Sequence, residues 1–91
     1  MIPSNALAAA RREVDALAAR AHWSEAARSD AHGVIDATAT GSIGPREIAQ
    51  RYRAVAKTLD RASRARLWQA VRRVAKSGLR TMLDAVYRNE L

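Results

Sequence analysis

The sequence contains no cysteine, which excludes disulfide bonds, thiolate zinc sites and thiol catalysis. Phenylalanine is also missing, and tryptophan and tyrosine occur only twice each, so few rings are available for stacking on nucleobases. No apolar run approaches the roughly 18–20 residues that a membrane-spanning helix requires. Residues 1–12 lack the basic start and strongly apolar stretch of a secretory signal peptide, so we expect an intracellular, cytoplasmic protein.

Strong helix formers dominate the residues that are present. Alanine accounts for 21 of the 91 residues, whereas there are only four glycines and two prolines. The length allows one compact domain with a modest core. We therefore predict an all-α fold, a small helical bundle of three to five helices with short connections, in which residues 1–91 form a single helical domain.

The first half of the chain has two stretches of helical periodicity. The first helix either continues through residues 22–24 or breaks there, and we favour a break, with Ser24 as the N-cap of a second helix that runs to about Thr38. Gly33 weakens this second helix and is a candidate for ending it early. The apolar positions of the first helix are Leu7, Ala10, Val14, Leu17 and Ala21. Those of the second helix are Ala27, Ala31, Val34 and Ile35.

The second half begins with a clear helix-start signal. Gly44 is the expected N-cap of a third helix, and Pro45 takes the first helical position, where its missing N–H has no cost. Ser63 is the expected N-cap of a fourth helix over residues 64–89, with a kink or break near Ser77 and Gly78, where the apolar face shifts around the helix. The expected core anchors of these helices include Ile48, Tyr52, Val55, Leu59, Leu67, Trp68, Val71 and Leu83.

The formal charge of +7 is unevenly distributed. Residues 1–45 carry four basic and five acidic side chains, whereas residues 46–80 carry eleven basic and only two acidic ones. The sequence therefore divides into a neutral helical half, residues 1–40, and a basic helical hairpin, residues 45–91. Fourteen of the sixteen basic residues are arginine, whose planar fork suits phosphate and carboxylate groups.

Within the basic half, the charged side chains form a stripe along one face of each predicted helix. Like charges at this spacing repel one another, and a merely solvated face more often mixes charges of both signs. Phosphates would neutralise such a stripe and release counterions, so we predict binding to DNA or RNA as a regulator or accessory factor. Gln69 is the one polar residue of the stripe suited to reading a base. The predicted nucleic-acid-binding residues are Arg53, Lys57, Arg66, Gln69, Arg72, Arg73, Lys76 and Arg80.

Other partners are compatible with the same charges. In the alternative function, the chain is a helical adaptor or inhibitor that docks on an acidic protein surface, with Trp23 as its apolar anchor. An anionic membrane surface fits less well, because the face opposite the stripe is needed for the core. Because a chain of this length has a limited core, pairing of two copies would add buried surface, so a homodimer stands beside a monomer as an expectation.

Catalytic and metal-binding patterns are sparse. His22 and His32 lie near three acidic residues, but no HExxH or comparable ligand spacing occurs. GxSxG, Walker A and GxGxxG patterns are also missing. We therefore expect a protein that is not an enzyme and has no catalytic residues, no metal and no cofactor.

Overall fold

The computed structural model of the chain describes residues 3–90, with side chains described for residues 5–88. Within this part the chain forms five α-helices joined by short connections, which confirms the predicted all-α bundle. None of the helices in the described range has the length and apolar character needed to cross a membrane. The helices are α1 (Pro3–Ala21), α2 (Glu25–Thr40), α3 (Pro45–Ala56), α4 (Arg61–Val74) and α5 (Ser77–Glu90).

The predicted break between the first two helices is confirmed. His22 leaves the helical path with a positive φ of 55°, and Ser24 then caps α2 by accepting a hydrogen bond from the backbone N–H of Ala27 at 3.1 Å. Gly33 does not end α2 early. The helix continues to Thr40, and the left-handed backbone of Gly41 (φ 69°) then terminates it, as glycine does at many helix ends.

The start of α3 matches the prediction, but the start of α4 does not. Gly44 and Pro45 take the N-cap and first helical positions of α3. The N-cap of α4 is Asp60 rather than Ser63, because the Asp60 carboxylate accepts hydrogen bonds from the backbone N–H of Ser63 at 3.2 Å and from its hydroxyl at 2.6 Å. Ser63 is therefore buried inside the first turn of α4.

This cap makes the stability of the protein depend on pH. The hydrogen bonds from the side chain and backbone of Ser63 lower the pKa of Asp60 below its ordinary value of 3.8. A carboxyl group whose pKa is lowered by folding stabilises the fold above that ordinary value, and the stabilisation is lost as the pH falls through the folded-state pKa. We expect the urea midpoint, compared at neutral pH and below pH 3.8, to fall less in Asp60→Asn, which still caps but does not titrate. An equal fall in both proteins would contradict this role.

The predicted break in the last helix occurs at residues 75–76, two positions earlier than the sequence indicates. Ala75 adopts an extended backbone with ψ of 141°, which ends α4. Gly78 lies inside α5 and is not the breaking residue. The Arg80 guanidinium instead secures the junction, donating hydrogen bonds to the backbone carbonyls of Arg72 at 3.0 Å and Ala75 at 3.2 Å.

The helices pack around one continuous apolar core. α4 packs mainly against α1 and α2, whereas α3 packs against α2 and α5. α3 and α4 make only a slight contact with each other, so the basic residues 45–91 do not form a closely packed hairpin. The largest fully buried apolar side chains are Val14, Ile35, Ile48, Leu67, Val71 and Leu83.

Candidate polyanion-binding surface

Charged side chains of α1 and α2 largely pair with one another. Arg11 donates two hydrogen bonds to Asp36, the shorter at 2.7 Å. Arg28 lies 2.9 Å from both Asp15 and Glu25. Arg11 and Arg28 are therefore matched to carboxylates of the same half, whereas Arg12 and Arg20 are exposed and have no acidic partner among the described residues.

The two histidines do not assemble a metal site. The Nε2 atom of His32 lies 2.8 Å from Asp15 Oδ1, and this bond, together with one from Arg28, lowers the pKa of Asp15. His22 is exposed at the turn before α2. Across the described residues, no group of three or more histidine or acidic side chains is positioned to hold a metal ion.

Two of the predicted binding residues, Arg72 and Arg80, connect α5 to the end of α4. The guanidinium of Arg72 binds Asp84 through two hydrogen bonds, Nε to Oδ1 at 2.7 Å and Nη2 to Oδ2 at 3.1 Å. This pairing lowers the pKa of Asp84 and raises the pKa of Arg72. Arg80 is the second, since its guanidinium caps the end of α4. Arg72 also donates to the side-chain oxygen of Gln69 at 3.3 Å.

The outward face of α4 carries the remaining members of the predicted stripe. Arg66 lies 3.7 Å from Glu13 of α1, a long ion pair that leaves Arg66 exposed. Arg73 and Lys76 are exposed, and neither makes a side-chain hydrogen bond or ion pair with any other described residue. These two cations at the α4–α5 junction are here named the junction cluster.

The other predicted residues, Arg53 and Lys57, meet two further cations at a cavity of about 390 Å³. The cavity opens where the end of α3, the start of α4 and the last turns of α5 come together. We name it the basic pocket. Its lining residues are Tyr52, Arg53, Ala56, Lys57, Arg61, Arg64, Ala65 and Tyr87. None of these described lining residues is acidic, so positive potential is focused in the pocket.

Aromatic rings form one side of this pocket. Trp68 is buried between Tyr52, at a ring-centroid distance of 4.8 Å, and Tyr87, which stacks on it at 4.9 Å with an interplanar angle of 21°. The hydroxyl of Tyr52 donates to the backbone carbonyl of Arg64 at 2.8 Å, and burial raises the pKa of Tyr52 to about 12. Tyr52 and Trp68 are core anchors, as predicted, but Tyr87 is 41% exposed.

Arg61 and Arg64 are the two cations of the pocket that are not among the predicted binding residues. The stripe of α4 was defined by residues on the face opposite the core, whereas Arg61 and Arg64 lie on a flank of the helix that lines the pocket together with Tyr87. Their distances from Trp68 in the sequence, seven and four residues, place all three on one side of a helix. This spacing is the signal in the sequence that could have found them.

Trp23, the predicted anchor for an acidic partner, is half-buried against the core. Its indole N–H donates to the hydroxyl oxygen of Ser63 at 3.2 Å, so it connects the α1–α2 turn to the start of α4. The polar atom of the indole is thereby satisfied within the chain itself.

Comparisons with protein-family models, with curated proteins and with solved structures found no match to this chain.

Proposed function

We propose that this chain is a non-enzymatic binding module that holds nucleic acid through the phosphate backbone, as a regulator or accessory factor. The contacts are made by the junction cluster and the basic pocket, with Arg66 and Gln69 between them on α4. Because α4 rises about 1.5 Å per residue, Arg61 and Arg73 lie about 18 Å apart along its axis. Two separated phosphate contacts would fix the orientation of the nucleic acid on the protein.

One observation carries this proposal, namely the mismatch between cations and available carboxylates. Every described carboxylate except Asp30 takes part in an ion pair or a helix cap, mostly with partners other than the junction cluster and the pocket. Lys57, Arg61, Arg73 and Lys76 are exposed and have no acidic partner among the described residues. Such cations repel one another in the free protein and are relieved by an external polyanion.

The adaptor alternative receives less support from the geometry. It needs a free apolar anchor beside the cations, but the Trp23 indole is bonded to Ser63 and packs on the core. We also propose a cytoplasmic location for the protein. Formation of a homodimer stays a prediction.

A salt titration tests nucleic-acid binding directly. Phosphate contacts release counterions, so the logarithm of the binding constant is expected to fall linearly with the logarithm of the salt concentration, by about 0.9 for each duplex phosphate contact. Four contacts, made by Lys57, Arg61, Arg73 and Lys76, give a slope of about −3.6. The measurement is fluorescence anisotropy with a labelled duplex and a labelled single strand over a series of salt concentrations.

Polyglutamate of matched charge serves as the competitor. If it displaces the nucleic acid as well as an unlabelled strand does, the surface recognises carboxylate chains and the acidic-protein alternative is favoured. If neither duplex nor single strand binds at low salt, the proposed function is wrong.

A further inference from the structure

The basic pocket brings several cations and an exposed aromatic ring together in one cavity. Lys57 and Arg61 are exposed cations at its rim, and Arg64 is half-buried in its wall. Tyr87 contributes an aromatic ring to the same cavity. Arg53 also lines the pocket and makes an interaction of its own.

The ring of Tyr87 is well supported for stacking. One of its faces packs on Trp68 at a nearly parallel angle of 21°, and Trp68 is itself only 4% exposed. Tyr87 remains 41% exposed although it makes this contact. An aromatic ring held from behind by a buried indole loses little freedom when a second flat group stacks on it.

The position of Arg64 is also fixed by contacts. The Tyr52 hydroxyl donates a hydrogen bond to the backbone carbonyl of Arg64, and Arg64 Nη1 donates to the carbonyl of Leu59 at 3.4 Å. The other guanidinium nitrogens of Arg64 remain available as donors. The nearest carboxylate in the sequence, Asp60, is engaged with Ser63 and lines a different cavity. The carboxylate of Asp60 is thus engaged outside the pocket.

We propose that the basic pocket binds one unpaired nucleotide of a single-stranded nucleic acid. Its base stacks on Tyr87, and its flanking phosphates lie against Lys57, Arg61 and Arg64. This inference rests on the proposed function and adds to it the class of strand that is recognised. The volume of about 390 Å³ falls within the range of roughly 300–1,000 Å³ that is typical of small-molecule sites.

A duplex does not fill this site. The bases of a duplex are already stacked on one another, so only its phosphates reach the pocket, whereas a single strand offers a free base face and phosphates together. The protein therefore binds single strands more tightly than blunt duplexes of equal charge.

The decisive experiment leaves the protein unchanged. Binding of a short labelled single strand is compared by fluorescence anisotropy with binding of an abasic strand of the same length and charge. Stacking of one base on an aromatic side chain corresponds to about a 5- to 150-fold difference in affinity. We expect the abasic strand to bind more weakly by a factor in this range.

Variants of α5 then locate the site. Tyr87→Ala is expected to lower single-strand affinity by about 5- to 150-fold while duplex affinity is unchanged, and Tyr87→Phe, which keeps the ring, retains the affinity. Met82→Ala is the matched control, because Met82 is 55% exposed on the same helix and does not line the pocket. Circular dichroism verifies that each variant is folded. If the Tyr87→Ala protein is unfolded, the comparison of the abasic strand with the strand that has its bases tests the stacking site by itself.

The outcomes separate the two proposals. If the abasic strand binds as tightly as the strand with bases, the stacking site is overturned, although phosphate binding stands. If no strand and no duplex binds at low salt, the proposed function fails and the stacking site fails with it. A preference for bases that Tyr87→Ala abolishes supports both.

Discussion

Replacing Arg73 and Lys76 together by glutamine is expected to lower the affinity for duplex DNA about 60-fold at ~0.1 M salt. Each duplex phosphate contact contributes about 0.9 logarithmic units to affinity for every tenfold decrease in salt, so two lost contacts remove about 1.8 units relative to 1 M salt. Both side chains are exposed and unpaired among the described residues, so the helical circular dichroism signal should not change. Anisotropy titrations at several salt concentrations give the affinity and the slope together.

A matched control separates a local surface from net charge. Arg12→Glu lowers the formal charge by two, as does the double substitution, but it does so on α1, where Arg12 is exposed and lacks a described partner. If binding depends only on total charge, the two proteins lose affinity equally, and the junction cluster has no special role. If Arg12→Glu keeps most of the affinity and the original salt slope, the phosphates contact the junction cluster itself.

Trp68→Ala is expected to destabilise the protein by about 3–5 kcal/mol, the usual cost of truncating a large buried aromatic side chain. Trp68 is 4% exposed and touches Tyr52 on one side and Tyr87 on the other, so its removal leaves a cavity where α3, α4 and α5 meet. Denaturant unfolding, followed by circular dichroism at 222 nm or an equivalent helix signal, measures the change in the free energy of unfolding.

Trp68→Phe is the appropriate comparison, because it keeps an aromatic ring and should cost clearly less than alanine. A loss below about 1 kcal/mol for Trp68→Ala would contradict the placement of Trp68 in the core, since surface substitutions usually stay within about 0.5 kcal/mol. The same variant removes the support of Tyr87, so a folded Trp68→Ala protein should also prefer single strands less strongly.

The course of the helices could be predicted because it depends on local chemistry. The apolar spacing of α1 to α3, the Ser24 cap and the Gly44–Pro45 start are each decided by residues a few positions apart. The prediction of Ser63 as the N-cap of α4 was wrong, and the reason is again local. Asp60 and Ser63 are both good capping residues, and the sequence does not show that the carboxylate takes the backbone N–H while the hydroxyl of Ser63 turns back to it.

The surface was harder to predict, since it depends on which charges pair across the fold. Arg72 and Arg73 are neighbours in the sequence with identical chemistry. Arg72 reaches Asp84, twelve residues away, because the chain breaks at Ala75 and turns into α5, which packs against α3, whereas Arg73 is exposed. Arg80 meets the end of α4 only because the chain breaks at Ala75. Such long-range pairings engage cations of the predicted stripe within the fold. The helical spacing of the sequence alone does not reveal these pairings.

The hydroxyl of Ser63 has a consequence for how the bundle opens. It donates to Asp60 at the cap of α4 and accepts from the indole of Trp23, so one small side chain joins the α1–α2 turn to the first turn of α4. Neither segment can fray without breaking a bond that holds the other. We therefore expect these two parts of the molecule, forty residues apart in the chain, to open together in local unfolding.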